Sequence, residues 1–113
     1  MEELLKQHKK LTIKPQNKME NKKVIVRGDR SGVFFGTLKA RTGREVTLTD
    51  CRRLWYWNGA DSISQIAEEG VTKPNDCKFT MTVSEIEILD AIEVIPCTKL
   101  AIDNINSVKV WKQ

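Results

Sequence analysis

Between residues 23 and 57 one pattern recurs, in which runs of β-favouring residues are broken by short glycine-containing segments. Lys23-Val24-Ile25-Val26-Arg27 and Val33-Phe34-Phe35-Gly36-Thr37-Leu38-Lys39-Ala40-Arg41 flank the loop Gly28-Asp29-Arg30-Ser31-Gly32, a spacing that predicts a hairpin. Thr42-Gly43 reads as a second tight turn into Glu45-Val46-Thr47-Leu48-Thr49, whose Val46 and Leu48 share a face. A fourth run, Cys51-Arg52-Arg53-Leu54-Trp55-Tyr56-Trp57, follows almost at once. Links this short leave no room for crossovers, so the four strands are expected to form an antiparallel meander.

After Asn58-Gly59 the period changes. Ser62 with Gln65 three residues on is a capping-box pattern, Ile63, Ile66 and Ala67 form a narrow apolar stripe, and Gly70 is placed to stop a helix of about two turns. A loop holding Pro74 follows, then a fifth strand over 78–83 and an apolar segment through Ile86, Ile88 and Leu89. Residues 91–95 continue as strand up to Pro96. Thr98 caps a last helix over 99–106, with Ala101, Ile102 and Ile105 inward, and 108–111 read as a short final strand. The expected fold is α+β, a small bent antiparallel sheet or partial barrel with two short helices. Residues 1–21 read as a basic N-terminal arm and 22–113 as a single ligand-binding domain.

With 113 residues, 40% hydrophobic and 30% charged, the composition is that of one globular domain. No apolar run approaches the roughly 20 residues of a membrane span, and no secretory signal opens the chain, so a cytosolic protein is expected. Cys51, Cys77 and Cys97 are odd in number and widely spaced, which fits reduced structural thiols. His8 is the only histidine, so neither a metal centre nor a histidine triad is expected, and no cofactor is implied. The formal charge of +4 is unevenly distributed. Residues 1–53 hold 14 Lys and Arg against 6 Asp and Glu, a balance of +8, while 54–113 hold 5 against 9, a balance of −4. An anionic partner for part of the surface follows, but a dedicated duplex-DNA coat does not.

The run from Cys51 to Asn58 packs two arginines and three aromatics into six residues. On a strand, Arg53, Trp55 and Trp57 share a face, with Arg52, Leu54 and Tyr56 on the other. Neither face is a plain core stripe. Two readings fit: rings placed in the core or a subunit interface, and rings exposed for stacking. Residues two apart lie roughly 7 Å apart, which admits one flat base between Trp55 and Trp57 with Arg53 free for a phosphate. Two anion sites are candidates beside it. Arg30, Ser31 and Gly32 combine flexible backbone, a cation and a hydroxyl, and Thr98 with Lys99 offers helix-start N–H groups beside an ammonium. The plainer readings, a hairpin turn for the first and a simple N-cap for the second, outweigh them. No paired-carboxylate motif, nucleophile elbow or metal cluster appears, so a binding module without catalysis is expected.

Val24-Ile25-Val26-Arg27, Ser31-Gly32-Val33 and Gly36, then Arg52-Arg53-Leu54-Trp55-Tyr56-Trp57-Asn58-Gly59-Ala60, then Glu93-Val94-Ile95-Pro96-Cys97-Thr98 together resemble a family of small phage-encoded proteins that includes the anti-CBASS sponges. The resemblance implies a homo-oligomer, dimer or tetramer, that sequesters cyclic di- or oligonucleotide immune signals in the host cytoplasm without cleaving them. The candidate ligand-binding residues, read from the residues themselves, are Arg30, Ser31, Gly32, Arg53, Trp55, Trp57, Thr98 and Lys99, whose rings and cations match the base faces and phosphates of such a ligand. The sequence departs from the family where a Tyr-Ser-Ala-Gly loop is expected and Asp29-Arg30-Ser31-Gly32 stands. The alternatives are a single-stranded nucleic-acid-binding protein, and a structural or host-protein adaptor; polymer binding differs from small-ligand binding by a steep fall with salt.

Overall fold

The computed structural model describes residues 19–112. Most of the expected basic arm lies outside them. Met19, however, packs against the core, and the Asn21 N–H donates to the Leu38 carbonyl, so the body begins before Lys22.

Six strands, β1 Lys23–Gly28, β2 Val33–Thr42, β3 Glu45–Tyr56, β4 Lys78–Phe79, β5 Val83–Ile88 and β6 Ala91–Pro96, form one antiparallel sheet with two helices, α1 Ile63–Glu69 and α2 Lys99–Ser107. The small α+β fold read from the sequence is observed. The sheet runs β4-β3-β2-β1-β6, and β5 also pairs with β3. Residues 45–56 are one long strand and not the two expected. A bulge explains the misreading. Thr37 faces Thr49 and Phe35 faces Arg52, two steps on β2 against three on β3, and Asp50 takes φ 47° to absorb the extra residue. Alternation is thereby reset, so Leu48 and Cys51, three apart, enter the same apolar cluster. Gly36 lies opposite: a Cβ there would sit 3.0 Å from the Thr49 carbonyl oxygen and 3.1 Å from Cys51 Cα, so only glycine lets the bulged strand approach this closely.

β3 carries two partners in succession on one edge, β5 along Val46 to Cys51 and β4 along Leu54 to Tyr56. The expected fifth strand is thus shorter than read, because after Phe79 the chain leaves the ladder until Val83. The expected terminal strand over 108–111 reduces to one parallel bridge, Phe79 to Val110. β5 and β6 sit on opposite edges of the sheet yet only Leu89 and Asp90 separate them, so the sheet must curl until its edges approach. It stays open, with no pairing between β5 and β6 among the described residues.

Each face of the sheet has its own core. Ile25, Phe35, Leu54 and Phe79 meet Ile66, Ala67, Ala101 and Ile105 of the helices, while Val24, Val26, Phe34, Leu38, Leu48 and Ile88 fill the inside of the curl. The helices end as their sequences direct. Ser62 Oγ accepts from the Gln65 N–H, Gly70 closes α1, and Thr98 Oγ1 accepts from the Ala101 N–H. Where the helices meet the sheet, the buried Arg52 guanidinium donates Nε to the Thr80 carbonyl, Nη1 to those of Ile105 and Val108, and Nη2 to that of Phe79, at 3.0–3.2 Å. These acceptors include the end of α2, where the helix dipole favours a cation. Burial pulls the Arg52 pKa below its ordinary value.

Candidate functional site

Past its bulge, β3 sends Arg52 and Leu54 to the helix-covered face and Arg53 and Trp55 to the opposite one. Arg53 stands opposite Phe34, with its guanidinium 4.5 Å from that ring's centre and Nη1 donating to the Ser31 carbonyl at 2.5 Å. A cation over an aromatic face with one donor fixed is pre-oriented. Arg53 is one wall of an open groove of about 610 Å³ lined also by Ser31, Gly32, Val33, Leu54, Trp55 and Trp57. Five of the eight residues expected at a ligand site therefore converge: Ser31, Gly32, Arg53, Trp55 and Trp57. Gly32 is required there, since its φ is 114° and a Cβ would press within 3.2 Å of Arg53 Nη1.

The loop before Gly32 differs from a waiting phosphate cradle. Asp90 Oδ2 accepts the Arg30 and Ser31 N–H groups at 2.8 and 3.1 Å, and Asp90 Oδ1 accepts the Ser31 hydroxyl at 2.5 Å. The donors proposed for a phosphate already hold a carboxylate of the protein itself. Arg30 remains exposed beside a second cavity of about 470 Å³, lined also by Phe34, Arg53, Ile86, Leu89 and Asp90. The Ser31 hydroxyl first, then the Arg30 N–H, hold the Asp90 carboxyl below the usual carboxylate range. A depressed carboxyl contributes stability that is complete above its unfolded value, about 3.9, and is lost as pH falls through the lower folded value. Asp90→Asn is thus expected to destabilise the fold at pH 7, with the gap to the parent closing in urea melts below pH 4. A gap that stays constant down to pH 2 contradicts this role.

Thr98 and Lys99 do not join the groove. Val24 pairs with Pro96, whereas Gly28 pairs with Ala91 at the opposite end of β1, next to the Ser31 loop. Thr98 Oγ1 donates to the Glu68 carbonyl while capping α2, and Lys99 pairs with Asp103 one turn on. Both are occupied as a plain helix start. The expected slot for a base between Trp55 and Trp57 also takes another form. Trp55 stacks on Trp111, with ring centres 5.1 Å apart and planes 13° from parallel, and Trp57 leans on the helix-side core beyond the end of β3. Both rings still wall the groove, but they are not a parallel pair.

Phe34, Asp90, Lys78 and Trp111 were absent from the sequence reading of the site. No local spacing links them to Arg53 or Trp55; only pairing across the curl does. Among the thiols, burial pushes Cys51 up to about 11 and Cys97 up to about 12, so both stay protonated at neutral pH. Among the described residues no group of three His, Cys, Asp or Glu is placed to hold a metal ion, and no helix is long and apolar enough to cross a membrane.

A family model described as "Domain of unknown function (DUF6948)" matches residues 21–105. The chain belongs to this family. The DUF6948 span contains every groove residue and Asp90, whereas Trp111 follows its end. A search among curated proteins finds no match.

Proposed function

We propose that this DUF6948 protein captures a cyclic di- or oligonucleotide in the Arg53–Trp55–Trp57 groove without altering it, in the manner of the anti-CBASS sponges its sequence resembles. The observation that carries the reading is the convergence of Ser31, Gly32, Arg53, Trp55 and Trp57 on one groove of about 610 Å³. Its size lies within the range of small-ligand sites. A cyclic dinucleotide offers two base faces and two phosphates. Indoles suit the first, and Arg53 suits the second, because Nε and Nη2 keep no partner among the described residues. Thr98 and Lys99 drop out of the ligand set on geometry, and the Ser31 hydroxyl and N–H serve the groove by shaping it.

The proposal includes action in the host cytoplasm as a homo-oligomer, dimer or tetramer. Leu89 in the β5–β6 turn and Ile92 just after it are exposed and offer a second copy apolar contact. Titration with a cyclic dinucleotide panel at two salt concentrations tests the ligand, with sedimentation of the same samples. Binding with a shallow salt dependence is expected, as befits two phosphates. Arg53→Ala is expected to weaken it about tenfold to a hundredfold, the loss of charge-assisted hydrogen bonds worth roughly 1.5–3 kcal/mol. Unchanged affinity in that variant, or a panel with no binder, removes the groove assignment; a lone monomer at micromolar concentration removes the oligomer.

A further inference from the structure

Three stretches far apart in sequence, 51–58, 78–83 and 108–112, meet at the outer end of β3 through the Tyr56–Lys78 pair and the Phe79–Val110 bridge. Together they hold Arg52, Arg53, Lys78, Lys109 and Lys112 and not one Asp or Glu, in a chain with 15 acidic residues. Arg52 is buried on its carbonyls, which leaves four cations at or near the surface. The rings stand among them. Lys78 Nζ lies 5.2 Å from the centre of Trp55, 5.4 Å from that of Trp111 and 5.8 Å from that of Tyr56. With the indole centres themselves 5.1 Å apart, the first two distances close a nearly equilateral triangle. The ammonium therefore sits beside the stacked pair and not between them. Trp55 stays 57% exposed and Tyr56 47%. No carboxylate among the described residues pairs with Lys78.

The charge decides between occupants. A second copy docked on this patch through a twofold axis would set the same cations against themselves. An acidic peptide would answer the cations and leave flat rings unused. A single strand of nucleic acid brings a phosphate and a stackable face with each nucleotide. We infer that this patch is a platform for single-stranded nucleic acid, with a base on the open side of Trp55 and phosphates along Lys78, Lys109 and Lys112. The platform shares Trp55 with the groove, but Lys78, Trp111, Lys109 and Lys112 take no part in that groove, so changes at the lysines separate the two.

Anisotropy of a labelled oligothymidylate of about 12 nucleotides, a length within single-strand site sizes, tests it on the full chain at 50 and 200 mM salt. Three phosphate contacts predict an affinity loss of roughly twentyfold between the two. Trp55→Ala is expected to weaken binding about 5- to 150-fold. The paired change Lys109→Glu with Lys112→Glu, at exposed positions that leave the fold intact, is expected to abolish most of the salt dependence. The same pair should leave cyclic dinucleotide affinity unchanged, so the platform and the groove fail separately. No oligonucleotide binding at 50 mM salt overturns the inference. So does binding indifferent to the lysine pair, or equal capture of an oligoglutamate of matched charge.

Discussion

Arg52→Ala is expected to lower the stability of this domain by about 3–5 kcal/mol, the cost of dismantling a buried charged network. Arg52 is 4% exposed, and its guanidinium holds four backbone carbonyls. Removing it leaves those oxygens unsatisfied, and hydrogen bonds to a charged group contribute more than neutral ones. It also takes away the cation at the end of α2 and the packing over the Phe79 ring, whose centre lies 5.5 Å from the guanidinium carbon. For a domain of this size the loss corresponds to a fall in melting temperature of roughly 15–30 °C. Arg52→Lys should recover part of it, because an ammonium keeps the charge but cannot fork toward four acceptors on two segments. An alanine variant that melts within about 5 °C of the parent would show that water replaces the guanidinium at little cost.

Phe34→Ala is expected to cost about 3–5 kcal/mol as a buried aromatic deletion and, separately, to weaken ligand binding. The ring is 1% exposed inside the curl and is the surface on which the Arg53 guanidinium rests. Without it Arg53 keeps only its bond to the Ser31 carbonyl and gains freedom that must be lost again on binding. Phe34→Leu separates the two effects, since it refills most of the volume and supplies no π-face. Calorimetric melts beside the ligand titration read both. Full affinity in the leucine variant would mean that Arg53 is positioned by Ser31 alone.

The strands, both helix starts and the antiparallel order were legible because each has a local cause: Ser62 and Thr98 cap their own helices, and Gly43 lies in the turn between β2 and β3. The site was legible only in part. The six residues from Arg52 to Trp57 drew attention through chemistry alone, and five of the eight candidates do share a groove. The bulge at Asp50 hid the continuity of β3, since strict alternation breaks where one residue is inserted. Thr98 misled because an N-cap and an anion site use the same groups. The Asp90 carboxylate on the Ser31 loop, 59 positions away, and the stacking of Trp55 on Trp111 arise from tertiary pairing that no window of sequence contains.

The two-residue link between β5 and β6 has a mechanical effect on the groove. Ile88 and Ala91 end strands on opposite edges of the sheet, yet a chain of this length spans at most roughly 11 Å. The curl therefore cannot flatten without breaking a ladder, and Asp90 ties the same tether to the loop that bears Ser31. A ligand meets a mouth whose width the backbone has already set, so recognition here proceeds by fit to a rigid frame, with little ordering left to pay for on arrival.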